Sequence, residues 1–267
     1  MPEITNQDPK ILHVVNLSEV PLNQFSEEEV GSSFVYPEEY LGPKAIHVQI
    51  EEIARIFDLD PRQALKYAKH LPPLESFVPA DTLKWTGFFA VPSDSGLQKL
   101  FPELPDPGER YCAGVRLDHT KIAESRPFYN YRGGQMLPQY LRVSTRTAHA
   151  QSFIAVKQPG DIWVIAAQLG ILHRGRSVRR AHAVFAANEF GLTSFMVGSI
   201  LLTHPKRLMR GDELCIDCAG DEFAPDADGD FSNAPFFHFG DGEVEFGADW
   251  YGQDGEYYGS ASAFLSQ

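Results

Sequence analysis

The spacing of apolar residues changes several times along the chain, and each period predicts an element. Ile50, Ile53, Ala54 and Phe57 fall at i, i+3, i+4 and i+7, the single apolar stripe of a helix. A second helix is expected immediately afterwards. Asp60 is suited to its N-cap, Pro61 to its first position and Gln63 to closing a capping box, with an end near His70 before Pro72-Pro73. Ahead of this pair, residues 10–15 read as a short first strand, followed by an acidic, irregular stretch up to Gly42-Pro43.

From about residue 80 the texture becomes strand-like. Residues 85–91 predict one strand, and the alternation of Tyr111, Ala113, Val115 and Leu117 predicts another over 111–117. Residues 152–156 and 162–167 flank Gln158-Pro159-Gly160-Asp161, which has the composition of a hairpin turn. A helical block follows from about 177 to 209, broken near Gly191 and at Thr203-His204-Pro205. The last strands are expected at 213–218, 236–239 and 243–246, the final two joined through Gly240-Asp241-Gly242. Strands separated by one helical block predict an α+β fold: a largely antiparallel sheet, a central helical block and a small N-terminal helical pair. Residues 1–75 would form a helical subdomain packed on a main domain at 76–267, although 267 residues also fit one domain.

Composition changes this picture little. An apolar share of 43% with 22% charged residues is ordinary for a globular chain, and 19 Phe and 10 Tyr supply bulk for a core. The first ten residues lack the cationic and apolar regions of a secretory signal, and the apolar stretch 190–203 is shorter than the roughly 20 residues of a bilayer span. A soluble, cytoplasmic protein without a membrane partner is expected. Three cysteines, Cys112, Cys215 and Cys218, are too few for a disulfide scaffold. The last two have C-x-x-C spacing, but on a strand they would face opposite ways, and no second Cys or His pair completes a zinc site. Buried structural thiols follow, with no cofactor and no metal. Asp226-Ala-Asp228-Gly-Asp230 opens like a calcium loop, yet Phe231 and Phe237 stand where such a loop needs Gly and Glu. A looser cation site with Asp221 is what remains of that idea.

Charge changes the picture more. The net charge of −13 divides into −10 over residues 1–109, +11 over 110–210 and −14 over 211–267, the last with no Lys or Arg. Either the basic middle pairs with the acidic end inside the fold, or it holds an anion. Its densest cluster runs from His173 to His182. With Ser177 as N-cap, Val178, Ala181, His182 and Phe185 form a buried helix face, and Arg174, Arg176, Arg179 and Arg180 crowd the positive end of the helix dipole. Such a place calls for negative charge, from Asp and Glu of 211–267 or from a phosphate or carboxylate. A helix beginning near Gly170 would weaken this argument by putting the arginines mid-helix.

The leading expectation is therefore a protein that binds a small anionic ligand through these four arginines. Were it an enzyme, His173 and His182 would be the nearby proton-transfer groups. A second expectation is an interaction module whose acidic segment 211–267 meets a basic protein partner, with Trp250, Tyr251, Tyr257 and Tyr258 exposed. A third is nucleic-acid binding. Residues 48–70 resemble a helix-turn-helix, with Arg62, Gln63, Lys66 and Lys69 available to phosphates or base edges, but the acidic first 109 residues oppose it. No P-loop, G-x-G-x-x-G, H-E-x-x-H or G-x-S-x-G motif occurs. Ser144, Ser152 and Ser194 have no nucleophile context, and His119 and His149, both expected at strand boundaries, are general-base candidates only.

Overall fold

The computed structural model describes residues 23–266, so the strand expected at 10–15 lies outside the described residues. The helical pair is present. In α1 (Ile46–Phe57) the predicted stripe of Ile50, Ile53 and Phe57 is buried, and Asp58 ends the helix in the left-handed region with its N–H on the Ala54 carbonyl. The next helix, α2 (Arg62–Ala68), starts one residue later than expected. Pro61 occupies its N-cap and no side chain caps it, while the Asp60 carboxylate accepts the backbone and guanidinium N–H groups of Arg62.

The expected strand at 85–91 is β1 (Gly87–Pro92), and α3 (Asp94–Leu100) follows, capped by Ser93. Residues 111–117 are not a strand. They lie within α4 (Pro107–Ser125), which begins with Asp106 accepting the Glu109 N–H and Pro107 at its first position. Its buried positions Tyr111, Cys112, Val115, Asp118, His119 and Ile122 form a helical stripe that a reading of alternate residues cuts across. Two short strands, β2 (Phe128–Asn130) and β3 (Leu141–Val143), come next. Residues 152–156 are also helical, in α5 (Thr145–Lys157), where Ser144 caps the Thr147 N–H and Thr147, Ala150 and Ile154 are buried. The segment 158–161 thus joins a helix to a strand and is not a hairpin turn. His119 and His149 accordingly lie within helices.

The long strand β4 (Ile162–Arg174) runs well past its expected end at 167. It is buried on both faces: Ile165 and Ala167 join the core with α1 and α2, whereas Ala166 meets Phe77 and Val78. The expected helical block proves to be α6 (Val178–Val184), a short strand β5 (Glu189–Gly191) at the predicted break, and the buried α7 (Ser194–Thr203). The closing strands are β6 (Ile216–Asp217), β7 (Asp221–Phe223), β8 (Asn233–Gly240), β9 (Glu243–Trp250) and β10 (Gly259–Phe264). β8 and β9 meet in a two-residue turn, Asp241-Gly242, both at positive φ, as the right-handed twist of a tight hairpin requires.

Seven α-helices and a ten-stranded, mostly antiparallel mixed sheet are therefore described, an α+β fold. The sheet runs β1-β4-β10-β6-β8-β7-β3, with β5 also on β10, and β9 carrying β2 beyond β8. β6 beside β10 and β2 beside β9 are its parallel pairings. One core cluster contains Ile50, Ile53 and Phe57 from the first 75 residues together with Phe89, Trp163, Phe195 and Phe246. No helix of the described residues is long and apolar enough to cross a membrane.

Candidate functional site

The arginine cluster sits as anticipated, but its negative charge has a different source. Ser177 caps α6 by accepting the Arg180 N–H, and β4 runs up to Arg174, which excludes a helix start near Gly170. Val178, Ala181 and Phe185 are buried, while His182 is half-buried and donates from Nε2 to the Ala219 carbonyl at 2.7 Å. The compensating acids are Glu28 and Glu29, about 150 residues away along the chain, not residues of 211–267. Arg179 is ion-paired with Glu28, and Arg176 and Arg180 with Glu29 at 2.8 and 3.0 Å. Burial pushes Glu28 upward, yet Arg179 and Ser177 hold its carboxyl below the usual range; Arg176, then Arg180, does the same for Glu29. Arg174 donates to the Phe34 carbonyl at 3.0 Å. His173 is buried, with Nε2 2.7 Å from Glu189, which also accepts Ser262, and with Nδ1 facing Arg176.

The other motifs are placed as follows. Cys112, Cys215 and Cys218 are free and buried. Arg62 is exposed and paired with Asp60 at 2.6 Å. Asp226, Asp228 and Asp230 lie in an exposed turn, where Asp228 accepts the Asp230 N–H. Among the described residues no group of three or more His, Cys, Asp or Glu is arranged to hold a metal ion. Of the C-terminal aromatics, Trp250 and Tyr257 are exposed and Tyr258 is buried.

A ligand-sized cavity of about 390 Å³ opens elsewhere, between the chain at 35–43 and the turn at 84–86, beside β1 and β4. Tyr36, Tyr40 and Trp85 form its walls. The Tyr36 ring is perpendicular to both others, with centroids 5.4 Å from Tyr40 and 6.5 Å from Trp85, the edge-to-face geometry that aromatic quadrupoles favour. Tyr36 is held from behind: where Gly170 takes a positive φ in β4, its hydroxyl accepts the Leu169 N–H at 2.9 Å. The Tyr40 hydroxyl has no hydrogen-bond partner among the described residues, and burial pushes this phenol upward.

Beneath Tyr36 lies Arg207, fully buried, with its guanidinium carbon 4.6 Å from the ring centroid. Nη2 donates to the carbonyls of Leu169 and Leu214 at 2.9 and 2.8 Å, but Nε and Nη1 have no acceptor. Glu213 is the nearest acid, 3.6 Å away and outside hydrogen-bond reach. Burial raises the Glu213 carboxyl and lowers Arg207. A guanidinium keeps its proton in a protein, so a positive charge lies behind the Tyr36 ring, with Glu213 as its nearest counter-charge. At the mouth, Lys84 is the one charged residue of the lining, its Nζ 4.6 Å over the Trp85 ring.

A second cavity, of about 320 Å³, is lined by Gln63, Lys66, Tyr67, His70 and Lys157 around Gly160. Its lysines lie in the last turns of α2 and α5. There they already complement the negative ends of those helices, which oppose an anion. Tyr36, Tyr40, Lys84, Trp85 and Arg207 carry no periodic or spacing signal. The only hint is the run of Tyr and Pro in Tyr36-Pro37 and Tyr40-Leu41-Gly42-Pro43. No protein-family model, curated protein or solved structure matches the chain. Its class is therefore stated by fold and site: an α+β protein with an aromatic cavity over a buried cation.

Proposed function

We propose that this protein binds a small anionic ligand with a flat apolar body in the cavity walled by Tyr36, Tyr40 and Trp85. The observation that carries this reading is Arg207 behind the Tyr36 ring, a buried cation with two nitrogens lacking hydrogen-bond acceptors and only Glu213, at 3.6 Å, as a loose counter-charge. Lys84 at the mouth adds a second positive charge, and the lining contains no acid. A cavity of about 390 Å³ is within the size range of small-molecule sites, which combine apolar walls with a few fixed polar groups. The rings supply stacking area, the Tyr40 hydroxyl a hydrogen bond and Lys84 a mobile counter-charge. An anion at the start of α6 would instead have to displace Glu28 and Glu29 from three arginines. Three free, buried thiols suit a reducing compartment, and the proposal places the protein in the cytoplasm.

Thermal shift with aryl carboxylates, aryl phosphates, their neutral amide or alcohol analogues and inorganic phosphate tests the proposal. Ring-bearing anions are expected to raise the melting temperature, since ligands of the native state stabilise it. Neutral analogues and phosphate alone should do so less. Trp85→Ala should abolish the shift, and Lys84→Gln should weaken binding about three- to tenfold, roughly 1 kcal/mol for a solvent-exposed charge. A panel without any shift overturns the reading, and so does a shift that survives Trp85→Ala but disappears in Arg179→Gln.

A further inference from the structure

The acidic C-terminal third contains a third, very small concavity. Asp217 of β6 stands opposite Phe236 of β8, and Ala234 of β8 opposite Asp249 of β9. Directly paired residues share a face of the sheet and so do residues two apart on a strand, so both carboxyl groups emerge on the same face. The strands carrying them are two spacings apart, about 9.6 Å, and between them stands Ala234, whose small side chain leaves room. The concavity is about 10 Å³ and is lined by Asp217, Phe236, Asp249, Trp250 and Tyr258, with Val178 of α6 beside them. That volume holds one water-sized group.

The two acids are not equivalent. Asp249 is exposed and accepts the Tyr258 hydroxyl at 2.9 Å. Asp217 is only 5% exposed, and its carboxyl has no hydrogen-bond partner among the described residues. A carboxyl this nearly buried is costly to ionise without a partner. We infer that this concavity is a binding pocket for a primary alkylammonium group, with Asp217 and Asp249 as its counter-charges.

The ammonium group matches the pocket in size, in charge and in its three N–H donors. Phe236, Trp250 and Tyr258 line the concavity, and aromatic rings attract cations. No group of three or more metal-ligating side chains forms among the described residues, so the pair of carboxyls fits a cation that brings its own donors. Trp250, 50% exposed at the rim, offers a surface on which the alkyl stem can lie. The segment 211–267 has 14 Asp and Glu and no Lys or Arg, a field that draws cations toward the pocket. The nearby cation, Arg179, has its guanidinium carbon 5.2 Å from the Trp250 ring and is matched by Glu28. His238, whose ring is 5.4 Å from Phe236, is paired with Glu245 at 2.7 Å. Burial, then the Asp249 charge, pushes the Asp217 carboxyl up to about 8. An incoming ammonium restores its ionised form, so binding near pH 7 releases a proton.

Such a group is carried by a lysine side chain of a basic partner or by a free amine, and calorimetry on the full chain separates them. The probes are n-butylammonium, the peptide Gly-Gly-Lys-Gly-Gly acetylated at its N-terminus and amidated at its C-terminus, and the same capped peptide also acetylated on Nε. The ammonium probes are expected to bind saturably and acetylation to weaken binding at least tenfold. Asp217→Asn should weaken it at least tenfold and abolish the proton release read from buffers of different ionisation enthalpy. Trp250→Ala and Asp249→Asn, both at exposed positions, should each weaken it at least threefold. A peptide that binds more than tenfold tighter than n-butylammonium supports the pocket with a protein partner as its source; equal affinities support it with a free amine. The inference is overturned if the acetylated and free peptides bind alike, or if a folded Asp217→Asn protein binds n-butylammonium as the parent does.

Discussion

Arg207 shows how much one side chain can depend on its surroundings. Its charge is buried without full compensation, and Glu213 lies 3.6 Å away with one oxygen that also lacks a partner. Removing either member leaves the other charge in a low-dielectric interior, which costs about 3–5 kcal/mol in comparable pairs. Arg207→Ala is therefore expected to lower stability by that amount, read from the urea midpoint at constant m. It also removes the support under Tyr36. A loss below about 1 kcal/mol would show that the guanidinium is solvated in a way the buried geometry denies. Ser177 is a smaller case. It caps α6 and donates to Glu28 at 2.7 Å, so Ser177→Ala should cost about 1–2 kcal/mol. Nothing about Arg207 was legible beforehand, because Lys206-Arg207 reads like the charged end of any surface helix.

At the scale of elements, the same kind of information was sometimes sufficient and sometimes not. The stripe in α1, the Ser177 cap and the Asp241-Gly242 turn are local patterns, and each appears where it was expected. α4 and α5 were misread as strands because a short alternating run also fits a helix, whereas Asp106-Pro107 and Ser144 are start signals that decide the matter. A tertiary constraint of another kind governs β5. A Cβ on Gly191 would lie 2.2 Å from the backbone of Ala219, and one on Gly220 would lie 2.5 Å from the Gly191 carbonyl oxygen. Here two backbones cross too closely for any side chain. Gly191→Ala should destabilise the fold by about 3 kcal/mol, the upper part of the overpacking range. A thermal melt unchanged from the parent would rule out this crossing.

Over the whole molecule, the uneven charge distribution is met in part by pairing the basic middle with both acidic ends, while other arginines of the middle donate to backbone carbonyls. Arg176, Arg179 and Arg180 take Glu28 and Glu29, Arg210 takes Glu39, and Arg142 takes Glu222. The pH dependence of stability comes instead from groups buried without such partners. Burial raises Asp217 to about 8 and Asp221 to about 7, the latter despite hydrogen bonds from Ser194 and Tyr111. Their contribution is complete below about pH 4, the unfolded value for Asp, and is lost as pH rises through 7 and 8. Burial lowers His119 to about 3 and His204 to about 4. Theirs is complete above about pH 6.5, the unfolded value for His, and is lost as pH falls through 4 and 3. Between about pH 4 and 6.5 the two trends oppose one another; above that range only the carboxyl groups act. Stability should fall by on the order of 2–3 kcal/mol from pH 6.5 to 8.5, with Asp221→Asn flattening the curve. Urea midpoints at three pH values measure this, and a midpoint that rises over that interval would refute it.

The order of residues alone established the α+β class, the caps and turns that begin and end several elements, and the need of the arginine cluster for negative charge. These depend on backbone preferences and dipoles acting over a few residues. Contacts across long stretches of chain decided the rest: Glu28 and Glu29 as the partners of those arginines, the Tyr36 ring over Arg207, and the unpaired Asp217 in an aromatic-lined concavity. Each of these joins segments that no periodicity links, and their energies come from burial and packing, which exist only once the chain has closed on itself.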